Sequence, residues 1–555
     1  MFGLISKKTY NTEIASLKRN FEEKLSAVTN VTVRSFNMAK LDRLTADWLS
    51  YVKDFNYDLK VGGSRLVARA RELYQNDPYA KKLVSEKRKG IVGPDGFILR
   101  NNAGEFQVQN SNYKFVKDKI ANGIINEAWW EYARNKYITL EGDETLRAHC
   151  GSLIDSIMVD GEVFIRKISG PKYNPFGFTT RVITAEHCDW SLNKDLGNGN
   201  YIIMGIEVNG DWKKVAYWFR RSTPKNDVDF GFHWERNYDR ITADKVIHLY
   251  VKELTHQLRG VTLLAPVGLR LRMLYNFEES ALMRANYSAR VPGMIEKQPN
   301  VMGPNGIPGI QVTSKDSNND WIMELANGEF LKVMDGYQVK SLQSDYPHQL
   351  HGDFVKHITR SVSAGGDIGY STLSNNYESV TWHSGKLEKQ SERDAFKEGQ
   401  KWFAESYLNH IFSDPTCWLE MAALAGKFTL PSGKLLPVLE KIEKFNKPQF
   451  YGRSWEYTNP KEEREANIMA VQSFQKTFEK VLADQGFDLE EQLDAIAEER
   501  QLFKDKGLGD LYDLFMTKYA VTPGGAAALP DQKDKPKEES IKKNGRSQTI
   551  HYEEN

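Results

Sequence analysis

DGEVFIRKI (160–168), FTTRVITA (178–185), YIIMGIEV (201–208), KKVAYWFRR (213–221) and DKVIHLYV (244–251) follow one another between residues 160 and 251. Each run is short, rich in β-branched and aromatic residues, and bounded by Gly, Asn or Asp, so its period of two predicts an antiparallel sheet. Directly afterwards the period lengthens. Leu264, Val267, Leu271, Leu274, Ala281, Leu282 and Ala285 fall at spacings of three and four, which predicts one long helix from Thr262 to about Ala289, its start marked by Gly260 and Pro266. Sheet followed by helix makes the fold class α+β.

Upstream of the sheet the pattern is mostly helical. Ile14, Leu17, Phe21, Leu25 and Val28 mark an amphipathic arm, and a helical block from Ala39 to Arg71 is expected to break at Gly62-Gly63. Asn76-Asp77-Pro78 then supplies a turn and the start of a helix to Lys89. Gly90 to Phe106, dense in turn residues, reads as a small hairpin, and Asn112 to about Tyr137 as helix. Downstream of the long helix, Pro292 to Pro347 carries Gly, Pro and Asn clusters around GIQVTS, DWIMEL, FLKVM and YQVKSL, a small β-rich module hung between two helices. The second of those helices is Asp353 to Ser363. Glu378 to Phe412 is another long helix, ended by Ser413-Asp414-Pro415, and Pro460 to about Tyr519 is a final helical block punctuated at Gly486 and Gly507. Beyond Pro523 large apolar residues are few and charge is mixed, so the tail is expected to be disordered.

Composition narrows the function. The chain has 555 residues, 75 Lys plus Arg against 74 Asp plus Glu, 40% hydrophobic residues and only three cysteines. The near-zero net charge excludes a protein that wraps nucleic acid by charge neutralisation alone. Three scattered cysteines exclude a disulfide framework and a thiolate zinc site, and fit a reducing, cytoplasmic origin. No run of 18 apolar residues and no signal-peptide stretch occur, so no transmembrane segment is expected.

Catalytic signatures are equally scarce. Gly385-Lys386, Gly426-Lys427 and Gly433-Lys434 are followed by Leu, Phe and Leu, so there is no phosphate-binding P-loop. HExxH is absent, and Gly369-Tyr370-Ser371-Thr372-Leu373 lacks the closing glycine of a nucleophile elbow. Asp345, His348, His351, Asp353 and His357 form the one cluster with ligand-like chemistry; a metal site there is weighed against a polar surface at a helix start, and the second reading is preferred. Trp129-Trp130 and the aromatics from Trp212 to Trp218 can stack bases, though such residues in periodic segments more often belong to a core. No catalytic residue, cofactor or metal is therefore assigned.

In order along the chain, Asp42-Arg43-Leu44 with Trp48, LVARARELYQNDPYAKKLVSEKRKGIVGPDGFILR (66–100), DGEVFIRKI (160–168), RGVTLLAPVGLRLRMLYNFEESALMRA (259–285), DFVKHITRSVSAGGDIGYSTLSNNYESVTWHSGK (353–386), and a block from Trp455 with Asn459-Pro460-Lys461-Glu462-Glu463 resemble the lambda-type portal family of tailed bacteriophages. The likeness covers roughly residues 38 to 510 and rests on the shared order of these pieces. It departs before the last long helix, where the family has a Tyr-Ser-Ser-like run and this chain has Tyr377-Glu378-Ser379 and Val380-Thr381-Trp382.

The resemblance implies a homo-oligomeric ring, normally of twelve subunits, at one capsid vertex of the virion, made in the host bacterial cytoplasm, through which double-stranded DNA passes non-specifically during packaging and ejection. It implies the following order: an N-terminal arm (1–40), wing (41–261), first stem helix (262–291), clip (292–346), second stem helix (347–363), tunnel loop (364–378), wing helix and return segment (379–459), helical crown (460–520) and disordered tail (521–555). Terminase large subunit, then head-completion or tail adaptor proteins, are the implied partners, together with major capsid and scaffold proteins. The implied tunnel-loop residues are Gly365, Gly366, Asp367, Tyr370, Ser371, Thr372, Asn375 and Asn376.

One observation in the residues fits independently. From Ser361 through Gly385 no Lys or Arg occurs in 25 residues, where the average of 75 in 555 predicts about three. Glycines, hydroxyls, amides and the carboxylates of Asp367 and Glu378 suit a surface that touches phosphates without holding them. The alternatives are a metal-dependent hydrolase or nuclease using Asp345, His348, His351 and Asp353, and a non-portal structural head or adaptor protein.

Overall fold

The computed structural model describes residues 16, 18, 19, 52–109, 112–221, 237–290, 294–297, 314–315, 321–322, 337–340, 351–378, 380–455, 460–485, 487 and 489–518. Most of the expected N-terminal arm, most of the β-rich module at 292–346, Asp345, His348 and the tail lie outside the described residues. The chain divides into two compact units, Met1–Gly452 and Arg453–Asn555.

The first unit opens with α1 (Phe55–Asn76) and α2 (Pro78–Ile91). Asp54 caps α1 by accepting from the Asn56 N–H, and Asp77 caps α2 by accepting from Ala80 N at 2.8 Å, with Pro78 in the first turn. The expected break at Gly62-Gly63 does not occur. A Cβ on Gly63 would stand 2.7 Å from Trp190 Cε3 and press into the ring, so the glycine admits an indole against an unbroken helix.

The strands β1 (Ile98–Asn101), β2 (Gly104–Gln109) and β3 (Asn112–Lys117) also depart from expectation. β1 pairs with β16 (Pro448–Tyr451) nearly 350 residues later, and the hairpin is β2 with β3, where Phe106 faces Phe115 with ring centroids 5.3 Å apart. The helix expected from Asn112 therefore begins only at α3 (Lys119–Arg134), behind the cap of Asp118. A cross-strand aromatic pair stabilises the hairpin register more than the sequence's weak helical period stabilises a turn of helix.

α4 (Leu146–Asp160) ends at Gly161, φ +88°, and the sheet begins. Strands β4 (Glu162–Ser169) and β5 (Phe178–Ile183) join β11 (Val246–Tyr250) in the order β11-β4-β5. A second sheet runs β10-β9-β8-β7-β6 through Lys194–Asp195, Tyr201–Ile203, Ile206–Val208, Lys214–Arg220 and Tyr238–Thr242, β6 to β10 in chain order. All pairings within both sheets are antiparallel. Their shared core contains Phe164, Met204, Ile206, Tyr217, Phe219, Trp190 and Leu258, closed by Leu59 and Val67 from α1.

The stretch 262–267 is a turn, so α5 runs Gly268–Arg290 rather than from Thr262. The strand pieces β12 (Met294–Lys297), β13 (Ser314–Lys315), β14 (Trp321–Ile322) and β15 (Tyr337–Lys340) pair antiparallel as β12-β15 and β13-β14. α6 (His351–Gly366) returns beside α5, with Phe277 and Phe354 5.1 Å apart, and a short α7 (Tyr370–Ser374) follows. The long α8 (Trp382–Phe403) starts at a capping box of Thr381 and Ser384 and continues through a π-helical turn, Ala404–Leu408, into α9 (Asn409–Ser413). α10 (Trp418–Leu424) and α11 (Ile442–Phe445) complete the unit. Trp418, Trp129, Tyr132, Phe176 and Phe412 form an aromatic core here, with Trp129 and Trp418 edge-on at 4.8 Å. Trp129 is thus a core residue, whereas Trp130 is exposed beneath the Arg134 guanidinium.

The second unit holds α12 (Pro460–Gln472), α13 (Phe478–Asp484), α14 (Leu489–Asp505) and α15 (Gly509–Lys518). Phe503 packs on Tyr512 at 5.1 Å, and Arg500 pairs with Asp513.

Candidate functional site

The segment expected to be a flexible loop at 364–378 is mostly helical. Gly365 and Gly366 are the last residues of α6. A Cβ on Gly365 would lie 2.5 Å from Val267 Cγ1, and one on Gly366 3.0 Å from Leu83 Cδ2, so these glycines serve close packing rather than loop flexibility. Asp367 turns the chain with φ +50° and exposes its carboxylate, while its carbonyl accepts from Lys87 Nζ at 2.9 Å. Ile368 tucks inward, its carbonyl accepting from Ser363 Oγ. Tyr370 lies under the Arg360 guanidinium, 5.2 Å from its ring centroid.

Ser371 and Thr372 are buried, 3% and 5% exposed, which corrects the reading of their hydroxyls as a solvated polar surface. Ser371 donates through both N–H and Oγ–H to the two oxygens of Glu388, each at 2.9 Å. Thr372 Oγ1 donates to Glu392 and accepts from Lys389 Nζ at 2.8 Å. Asn375 sits at φ +53° with its side chain exposed, and Asn376 Oδ1 accepts from Glu378 N. Besides Ala364 and Gly365 at the end of α6, the segment presents outward Asp367, Asn375, Tyr377 and Glu378.

A second constellation joins the sheets to the start of α5. Arg259 is fully buried. Its guanidinium pairs with Glu162, donates to the carbonyls of Cys188 (3.1 Å), Met204 (2.7 Å) and Ala185 (3.1 Å), and stacks 3.7 Å from the Trp190 ring. Glu162 also accepts from Gly260 N and from His248 Nε2, both at 3.0 Å, and Lys214 Nζ donates to His248 Nδ1 and to the Tyr250 hydroxyl. Burial pushes the Glu162 carboxyl up, but the Arg259 charge and the His248 hydrogen bond outweigh it and bring it to about 2. Burial, then the Lys214 charge, push His248 down to about 3. Burial likewise lowers Lys214 to about 8, against the pull of Glu162. Gly161 and Gly260 meet backbone to backbone here, a Cβ on Gly161 falling 2.6 Å from the Val261 carbonyl carbon. The network is closed and fully satisfied, which fits a joint rather than a reactive centre.

Residues 41–400 match the family model described as phage portal protein, lambda family. The chain belongs to that family. It is 24% identical over 507 residues to the "Probable portal protein" of Halomonas phage phiHAP-1, covering 90% of this chain and 92% of the relative. With portal protein B of Escherichia phage lambda it shares 20% over 452 residues, covering 76% and 81%. A chain from the neck of an empty GTA particle aligns with TM-score 0.40 and 9% identity over 77% of this chain and 94% of that one. As a family member the chain is a bacteriophage portal, a head–tail connector, and the family is a structural one.

The 25 residues free of Lys and Arg are not free of cations in space, because Lys87 from α2 and Lys389 from α8 both reach the segment. Glu388 and Glu392, one turn apart with Lys389 between them, were a legible signal: like charges at that spacing repel unless each has a partner. Of the ligand-like cluster, Asp345 and His348 lie outside the described residues, and His351, Asp353 and His357 lie on α6. Among the described residues no three His, Cys, Asp or Glu side chains are placed to hold a metal ion, and no described helix is long and apolar enough to cross a membrane.

Proposed function

We propose that this portal chain acts as the subunit of a closed ring, normally twelve-fold, through whose centre double-stranded DNA enters and leaves the head at one capsid vertex. In this reading α5 and α6 are stem helices, residues 292–346 the clip, 41–261 the wing, α8 the wing helix and 460–520 the crown. The segment 364–378 faces the channel. Terminase docks at the clip first and an adaptor later, capsid and scaffold proteins surround the ring, and synthesis takes place in the host cytoplasm.

The observation that carries the ring is α5 itself. Leu269 (69%), Met273 (59%), Leu282 (66%) and Met283 (66%) are exposed on this 23-residue helix. A lone chain leaves that apolar surface in water, and a neighbouring copy covers it. The deciding measurement is native mass of the purified chain with an electron micrograph of the particle. A particle near twelve times 63.6 kDa supports the ring, and a monomer at micromolar concentration overturns it.

Passage without grip follows from the outward residues of the segment. Asp367 and Glu378 repel phosphate, while the cations behind them are tied to Asp367 and Glu392. Replacing residues 292–346 by a short linker tests the clip: the wing should still fold while terminase binding is lost.

A further inference from the structure

We infer that Glu388 is a positioning residue for the segment 369–374: its carboxylate, reaching across from α8, stands in for the N-cap that α7 lacks and holds the segment folded back, so that loss of this one acceptor releases the segment as a unit. The inference rests on the channel-facing reading above only for its consequence in DNA passage.

α7 has five residues, far too few to persist as a helix on its own propensity. Its N-cap is Gly369, which offers no side-chain acceptor, and its far end turns out through Asn375 in the left-handed region. The orphan donors of its first turn must find a partner elsewhere. Ser371 N–H finds Glu388 Oε1, and the Ser371 hydroxyl finds Oε2 of the same carboxylate. A carboxylate accepting at a helix N-terminus is favourable in charge as well as in hydrogen bonding.

Gly369 is what makes the approach possible. A Cβ at that position would stand 2.8 Å from the Glu388 Cδ, so any side chain there displaces the carboxylate. The second hold, Thr372 on Glu392, is longer at 3.3 Å, and its carboxylate is shared with Lys389. Glu388 is therefore the shorter and bidentate attachment of the two. Leu373 seals the same segment to the core at 2% exposure, and the cap determines whether its helix persists long enough to keep it there.

The experiment is amide hydrogen exchange on the full-length assembled protein, comparing wild type with Glu388→Ala, Glu388→Gln and Gly369→Ala. Glu388→Ala and Gly369→Ala are expected to speed exchange across 369–374 by about tenfold or more, with the β4 and β11 peptides unchanged. Glu388→Gln keeps an oxygen for Ser371 N–H and is expected to retain most of the protection. Unchanged exchange in Glu388→Ala, or an increase of equal size in β4 and β11, overturns the inference, the second result reducing Glu388 to a general stabiliser. The channel-facing reading fails by a different result: packaging indifferent to an added cation at Glu378.

Discussion

Arg259→Met is the perturbation that tests the joint between sheets and stem most directly. The substitution keeps much of the side-chain volume and removes the charge and every donor. It strands Glu162, which has no exposure, with only Gly260 N and His248 as partners. Breaking a buried pair in this way costs about 3 to 5 kcal/mol. The carbonyls of Cys188, Met204 and Ala185 each lose a donor, at about 1 kcal/mol or more apiece. Even at the low end the loss is about 6 kcal/mol, comparable with the whole stability of many domains. Hydrogen exchange of the peptides covering 162–169, 185–190 and 255–262, together with urea unfolding, should show these segments open while the four helices beyond residue 453 keep their protection. The double variant Glu162→Met/Arg259→Met removes the stranded charge and should recover about 2 kcal/mol or more relative to the sum of the two single substitutions. A loss below about 1 kcal/mol in Arg259→Met, or strict additivity in the cycle, would refute the reasoning that this pair is the keystone.

The same network sets an acid limit. His248 titrates at about 3 in the fold and 6.5 in the unfolded chain, and Glu162 at about 2 against 4.5, so their stabilisation is complete above pH 6.5 and drains away as pH falls toward 2. Lys214, lowered to about 8 from 10.5, acts in the same direction in a higher window, so stability rises again as pH goes from 8 to 10.5; thermal unfolding of wild type and Lys214→Met across both windows separates the two effects. Gly161→Ala forces a side chain into φ +88° and onto the Val261 backbone, for an expected loss of about 3 kcal/mol or more, read from the urea midpoint. Glu378→Lys is expected to assemble normally and slow packaging in a manner relieved by salt, because about a dozen cations would then face a polyanion; equal rates at low salt would remove the segment from the channel. Truncation after Thr522 should leave assembly intact, measured by native mass, since the tail lacks apolar area to offset its ordering entropy.

The sequence by itself determined the elements whose signal is local. Period-two runs from 160 to 251 sit in two antiparallel sheets, Asp77-Pro78 starts a helix, and Ser413-Asp414-Pro415 ends one, because side-chain alternation, caps and proline act within a few residues. The order of such pieces along the chain carried the portal family with it. Where partners are remote in sequence, only the tertiary structure decided. β1 looked like half of a local hairpin and instead pairs with Pro448–Tyr451. Gly63, Gly365 and Gly366 looked like breaks or flexible links, yet each is small because another element presses on it. Ser371 and Thr372 looked solvated, and carboxylates from a helix 17 and 20 residues on draw them inside. Local propensity is written in neighbouring residues, whereas burial and ion pairing depend on which distant surfaces meet, and no period in a single segment encodes that meeting.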